Sequence, residues 1–207
     1  MTESKKHSFL KDVGMAFLYN QNCFLVATEV HITSLRRKIT SHLDNHLIID
    51  VCGVGEKYVP LHKREFEWKE DVFKFKYSGR EIPRRWKEYK GKSKFNIVRG
   101  LEVKVSRSDF KNGFVCSGCN YNYLMIPEGL VYSNEVPKNV GVVKVDMKNF
   151  KSSFDPIDRF SFQGLRVTHT PKFQQVEQWQ IDNAISHIAR RSTRELVIKV
   201  AEKLAQH

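Results

Sequence analysis

Residues 99–113 read RGLEVKVSRSDFKNG. Leu101, Val103 and Val105 alternate with Glu102 and Lys104, the period-two pattern of a strand. SDFKNG then has the residues for one helical turn, capped by Ser108 and ended by Gly113. Side chains two apart on a strand point to one face, so Glu102 and Lys104 project together from an otherwise apolar element. Burying charge is costly unless it is paired or bound to metal. Five other Asp/Glu-x-Lys triplets occur, at Glu3, Glu67, Glu88, Asp109 and Asp146, but none sits inside such an apolar alternation. From spacing alone, a solvent-facing Glu–Lys pair on an edge strand reads equally well.

Working outward, HLIIDVCGV (46–54) is a short apolar run ending in glycines, the pattern of a buried strand, and Asp50 lies within it. If the two strands are neighbours, Asp50 joins Glu102 and Lys104 at one end of the sheet. Residues 8–20 carry Phe9, Leu10, Val13, Phe17 and Leu18 at helical spacing. NCFLVATEVHI (22–32) is rich in strand formers and is interrupted by Glu29. Further strands are expected at 120–130 and 139–147, a mixed segment at 150–172, and one long helix or two over 174–205. This order predicts an α/β chain with a mixed central sheet flanked by helices. The expected organisation is a core at 1–150, interrupted by a basic, aromatic-rich insertion at 56–95, then a C-terminal helical extension at 151–207.

Composition narrows the function classes. The chain has 207 residues with 35 Lys+Arg against 23 Asp+Glu, a formal net charge of +12. Its 41% hydrophobic content excludes wholesale disorder. No apolar run approaches the ~20 residues of a membrane span. MTESKKHSFLKD lacks the apolar core of a signal peptide, so a cytoplasmic protein is expected, with no membrane partner. The charge favours a polyanion, most simply nucleic acid. It is uneven: residues 56–99 hold 14 Lys+Arg and 7 Asp+Glu, net +7, among Phe66, Trp68, Phe73, Phe75, Tyr77, Trp86 and Tyr89. Basic residues interleaved with aromatics suit a nucleic-acid groove, and suit equally a solvated sheet whose rings cover a core. Cys116 and Cys119 form a C-x-x-C without the second pair a structural zinc site needs, and Cys23 and Cys52 read as core thiols. Most of the eight histidines flank loops and charged stretches and read as solvated. Phosphate-loop, dinucleotide, nucleophile-elbow and zinc-protease motifs are absent, so no nucleotide cofactor is expected.

IIDV (48–51) followed by RGLEVKVSRSDFKNG resembles the signature of the PD-(D/E)XK nuclease superfamily, and more narrowly the MmcB-like putative DNA-repair endonucleases with their Glu-(Ile/Val)-Lys-(Val/Ser)-Ser-x-x-Asp-Phe run. TEV (28–30), CNYNYLMIP (119–127) and VPKNVGVVKVD (136–146) extend the likeness over roughly residues 8–147, the insertion apart. The resemblance implies a restriction-endonuclease-like core and a metal-dependent DNA endonuclease of a bacterium or phage. It places Asp50, Glu102 and the Val103 carbonyl on Mg²⁺ or Mn²⁺, with Lys104 serving the attacking water and Glu29 completing the acidic cluster. Arg107 and Lys111, with Arg84, Arg85 and Lys87 of the insertion, would contact DNA, while Ser106 and Asp109 would cap the next helix. Two features depart from the family: KNGFVCSG (111–118) stands where a longer helix is usual, and the insertion lengthens the Asp50–Glu102 spacing. The rival readings are a catalytically inactive DNA-binding or repair-accessory module, and an assembly protein with an acidic partner. The 174–205 helix is the candidate seam of a homodimer.

Overall fold

A computed structural model describes residues 5–33, 46–60, 92–114, 118–155 and 159–205. The elements are α1 (Lys5–Asn20), β1 (Cys23–Thr33), β2 (His46–Pro60), β3 (Lys92–Val103), α2 (Arg107–Lys111), β4 (Tyr121–Pro127), a 3₁₀ turn (Ser133–Glu135), β5 (Gly141–Val145), β6 (Lys151–Asp155), β7 (Arg159–Gln163), β8 (Leu165–His169) and α3 (Gln178–Leu204). The chain packs as two units, one of residues 1–55 and 97–207 and the other of residues 56–96. The aromatic stretch at 66–89 and its expected DNA contacts Arg84, Arg85 and Lys87 lie outside the described residues.

Six strands form one sheet in the order β1-β2-β3-β4-β5-β8. β1 and β2 are antiparallel, β3, β4 and β5 run parallel, and β8 returns antiparallel to β5. The parallel centre is apolar on both faces, as strands covered on both sides must be. Tyr123, Met125, Val143 and Val145 pack with Leu10, Val13, Phe17 and Leu18 of α1, while Leu124, Ile126 and Val142 pack on Val131, Val136 and Val140 of the β4–β5 connection. α3 covers β1 and β2 through Ile181, Ala184 and Ile188. The mixed α/β sheet flanked by helices agrees with the sequence-based expectation.

Residues 151–155, 159–163 and 165–169, expected within a helical extension, are instead three strands. β8 completes the main sheet, and β6 and β7 form a separate two-stranded ribbon. Their short alternating runs, KSSFD and RFSFQ, offer aromatic residues on one face only, too few for a helical stripe. The long C-terminal helix is one element, not two.

A break in strand phase sets up everything that follows. On β1, Leu25 and Ala27 face the α3-side core, but so do Val30 and Ile32, a switch from odd to even positions. The switch occurs at Glu29, whose φ of 55° puts a non-glycine residue in the left-handed region. On β2, Ile49 and Cys52 face α3 while Val51 faces α1. The register pairs Thr28 with Val51 and Val30 with Ile49, which sets Glu29 opposite Asp50. Both carboxylates therefore occupy the two positions where alternation fails.

α1 can lie close over this break because Gly14 has no side chain. A Cβ there would meet Leu101 Cδ2 and Val51 Cγ2, each at 3.1 Å. Gly14→Val is expected to overpack this contact and cost about 1–3 kcal/mol. Urea denaturation measures it, and an unchanged midpoint would contradict the close approach.

Candidate active site

Asp50 is the hub of the site. Its Oδ2 accepts from the Val103 backbone N–H at 2.8 Å, tying β2 to the end of β3. Its Oδ1 is 3.4 Å from Lys11 Nζ, and His7 Nε2 is 3.5 Å from Oδ2. The same imidazole donates from Nε2 to the Val103 carbonyl at 3.3 Å. Lys11 also pairs with Glu29, so one ammonium bridges the two carboxylates at the phase break. That hydrogen bond, more than any other influence, holds the Glu29 carboxyl below its ordinary range, and Arg191 and His7 add to the effect.

Glu102 is 6% exposed, and its Oε1 has no hydrogen-bond partner. Burial, reinforced by the negative charge of Asp50 and opposed by Lys104, pushes its pKa up to about 8. At neutral pH the Glu102 carboxyl is therefore largely protonated, where an ordinary carboxyl is not. The arrangement suits a hard divalent cation: two carboxylates and the Val103 carbonyl are oxygen donors, and one donor oxygen is buried and unanswered. No cluster of three or more His, Cys, Asp or Glu side chains placed to hold a metal occurs among the described residues, so water would complete the coordination.

Lys104 lies just beyond β3. Its Nζ is 3.2 Å from Asp109 Oδ1. Asp109 Oδ2 accepts from the Val105 N–H, and the Asp109 N–H donates to Ser106 Oγ. The helix cap is thus Ser106 rather than Ser108, because Ser106 is the residue in extended conformation immediately before α2. The carboxylate expected to cap the helix also anchors the lysine expected to serve the water.

Of the expected site residues, Asp50 meets Val103 directly and Glu29 through Lys11, and Glu102 feels the charges of Asp50 and Lys104, while the Lys104 ammonium itself lies on Asp109. Arg107, expected on DNA, forms a two-pronged ion pair with Glu135 and lies over the Phe110 ring. The pair lies at the surface, so a phosphate contact by Arg107 would compete with Glu135. Lys111 ends α2, exposed. Cys23, Cys52 and Cys119 are buried free thiols, as core residues should be, and Cys116 lies outside the described residues.

His7 and Lys11 were missed, because α1 reads as a packing helix and histidines read as solvated. A signal was present. Positions 7, 11, 14 and 18 share one helical face, and Leu18 and Gly14 are core positions, so Lys11 interrupts a buried stripe with a charge. A lysine there needs an acidic partner across the interface.

Glu102 gives a stability test that needs no substrate. Its ordinary pKa is 4.5 and its folded value is about 8. Between these values the folded chain holds a proton that the unfolded chain has lost. The resulting stabilisation is complete below pH 4.5 and is lost as pH rises through 8. Glu102→Gln keeps the site neutral, so the metal-free variant should lose less stability than wild type between pH 5 and 9, by on the order of a few kcal/mol. Parallel stability–pH curves from chemical denaturation would contradict the raised pKa.

No protein-family model matches the chain, and no curated protein does. Among solved structures, the chain is similar to the SPO1766 protein of unknown function from Silicibacter pomeroyi, at 14% identity and a TM-score of 0.41, over 83% of this chain and 75% of that one.

Proposed function

We propose that the chain is a metal-dependent DNA endonuclease with a restriction-endonuclease-like core of the PD-(D/E)XK kind, nearest in its motifs to the MmcB-like group. The observation that carries this reading is the unanswered Glu102 oxygen, buried beside Asp50 at the end of a central parallel strand. The element order also supports it: a helix, three strands, a short helix and a parallel fourth strand, with the two carboxylates on the second and third strands.

Asp50, Glu102 and the Val103 carbonyl would hold Mg²⁺ or Mn²⁺. The ion would supply a lowered pKa for bound water and charge neutralisation on the scissile phosphate. Asp50 is pre-oriented by the Val103 N–H, and Lys11 and His7 keep it from swinging away. Lys104 would orient the attacking water or offset charge developing on phosphate, with Asp109 fixing the lysine's position.

One observation favours the second reading, an inactive DNA-binding module: Lys11 already provides Asp50 and Glu29 with a counter-ion. Cleavage assays on duplex, branched and single-stranded DNA with Mg²⁺ or Mn²⁺ separate the two. Nicking by wild type should fall at least ~10²-fold in Asp50→Ala and Glu102→Ala while DNA binding persists. Equal cutting by either variant sinks the site assignment. No cutting by wild type, together with salt-sensitive binding, establishes the inactive module.

A further inference from the structure

The acidic site creates an electrostatic problem for the substrate proposed above. Glu29 and Asp50 repel a phosphodiester backbone, and the cations placed against them and at the exit from β3 already have acidic partners. Lys11 lies on Glu29 and Asp50, Lys104 on Asp109, and Arg107, at the exit from β3, on Glu135. A backbone crossing this end of the sheet needs positive charge from elsewhere.

α3 offers it. His187, Arg190, Arg191 and Arg194 fall at i, i+3, i+4 and i+7, one face of the helix. At 100° per residue they span about a third of its circumference, and no acidic residue lies on that arc. Glu195, the nearest, borders it and pairs with Arg191 at 2.8 Å. The arc is also placed in the fold. The neighbouring face, with Ile181, Ala184 and Ile188, packs against Ala27, Val30 and Ile32 of β1. The His187 ring lies 6.1 Å from that of His31, two residues beyond Glu29. Arg191 is near enough to act electrostatically on Glu29. Arg190 and Arg194 are exposed and make no ion pair among the described residues.

We infer that this arc of α3, led by Arg190 and Arg194, is a phosphate-backbone contact surface along the Glu29 side of the carboxylate site. It rests on the proposed reading only in taking the partner to be nucleic acid, and it requires no cleavage. Two guanidiniums suit the role, since each can engage phosphate oxygens with two parallel donors. The position also reassigns the grip: among the described residues it comes from the C-terminal helix flanking β1, rather than from Arg107.

The test is fluorescence anisotropy with a fluorescein-labelled 25-base-pair duplex in EDTA, so that binding is read without cutting. Wild type, Arg190→Glu/Arg194→Glu and Arg107→Glu are titrated from 50 to 250 mM KCl. Circular dichroism checks that the charge-reversed helix is intact. In the double variant, affinity near 100 mM salt should fall at least ~10-fold, and the slope of log K against log salt should flatten by about 2, one unit per lost phosphate contact. Arg107→Glu should change the slope by much less. An unchanged slope and affinity in the double variant overturn the inference and leave the arc to an acidic protein partner. The proposed activity fails separately: a wild type that binds but never cuts, with binding lost in the double variant, removes the catalytic reading and keeps this surface.

Discussion

Two neighbouring carboxyls held with little access to water, Asp50 and Glu102, set the terms for the surrounding structure. Like charges at low dielectric cannot both persist unanswered. Each group is handled differently. Asp50 has a backbone N–H, an ammonium and an imidazole around it, so its charge is compensated from the neighbouring strand β3 and from α1. Glu102 has no such set and keeps its proton to about pH 8. The phase break at Glu29, the close approach at Gly14 and the lysine inside the α1 stripe all serve the first arrangement. Removing any one leaves Asp50 short of a partner.

Much of this was legible in the sequence, for a physical reason. Apolar alternation interrupted by charge is visible without coordinates, so Asp50, Glu102 and Lys104 stood out, as did the strands carrying them. Parity was harder to read. The i, i+2 rule places Glu102 and Lys104 on one face, but β3 ends at Val103 and Lys104 follows it onto Asp109. The rule also fails at Glu29, since nothing in TEV announces a left-handed residue. Lys11 and His7 were hidden because the contact joining them to Asp50 is between elements, and sequence periodicity reports only on faces within one. The β6–β7 ribbon was missed for a related reason: five-residue strands bearing one or two aromatics carry too little pattern to separate from loop.

Charge counting shows the same limit from the other side. Net charge records how many cations a chain has, not how many are available. Arg107 sits next to the motif and looks like a substrate contact, yet Glu135, distant in sequence, claims it with two hydrogen bonds. Arg190 and Arg194 lie nearly ninety residues beyond the motif, and the fold brings their helix beside β1. Availability is a tertiary property, set by whether an acid happens to share the same face.

Lys11 decides how the carboxylates behave without a metal, and its geometry bears on whether one can enter. An ammonium bound only to Asp50 would have to leave before a divalent ion could bind, stranding a buried lysine at a cost of several kcal/mol. Lys11 instead spans Asp50 and Glu29, and Glu29 is the more exposed of the two, with 45% of its side chain accessible against 16% for Asp50. Under the proposed metal-dependent reading, the ammonium would give up Asp50 and stay paired with Glu29, while a cation would take Asp50 and Glu102. The strained backbone at Glu29 then has a physical role. It holds a carboxylate within reach of Lys11, so that in the proposed reading a divalent ion would replace the proton without displacing α1.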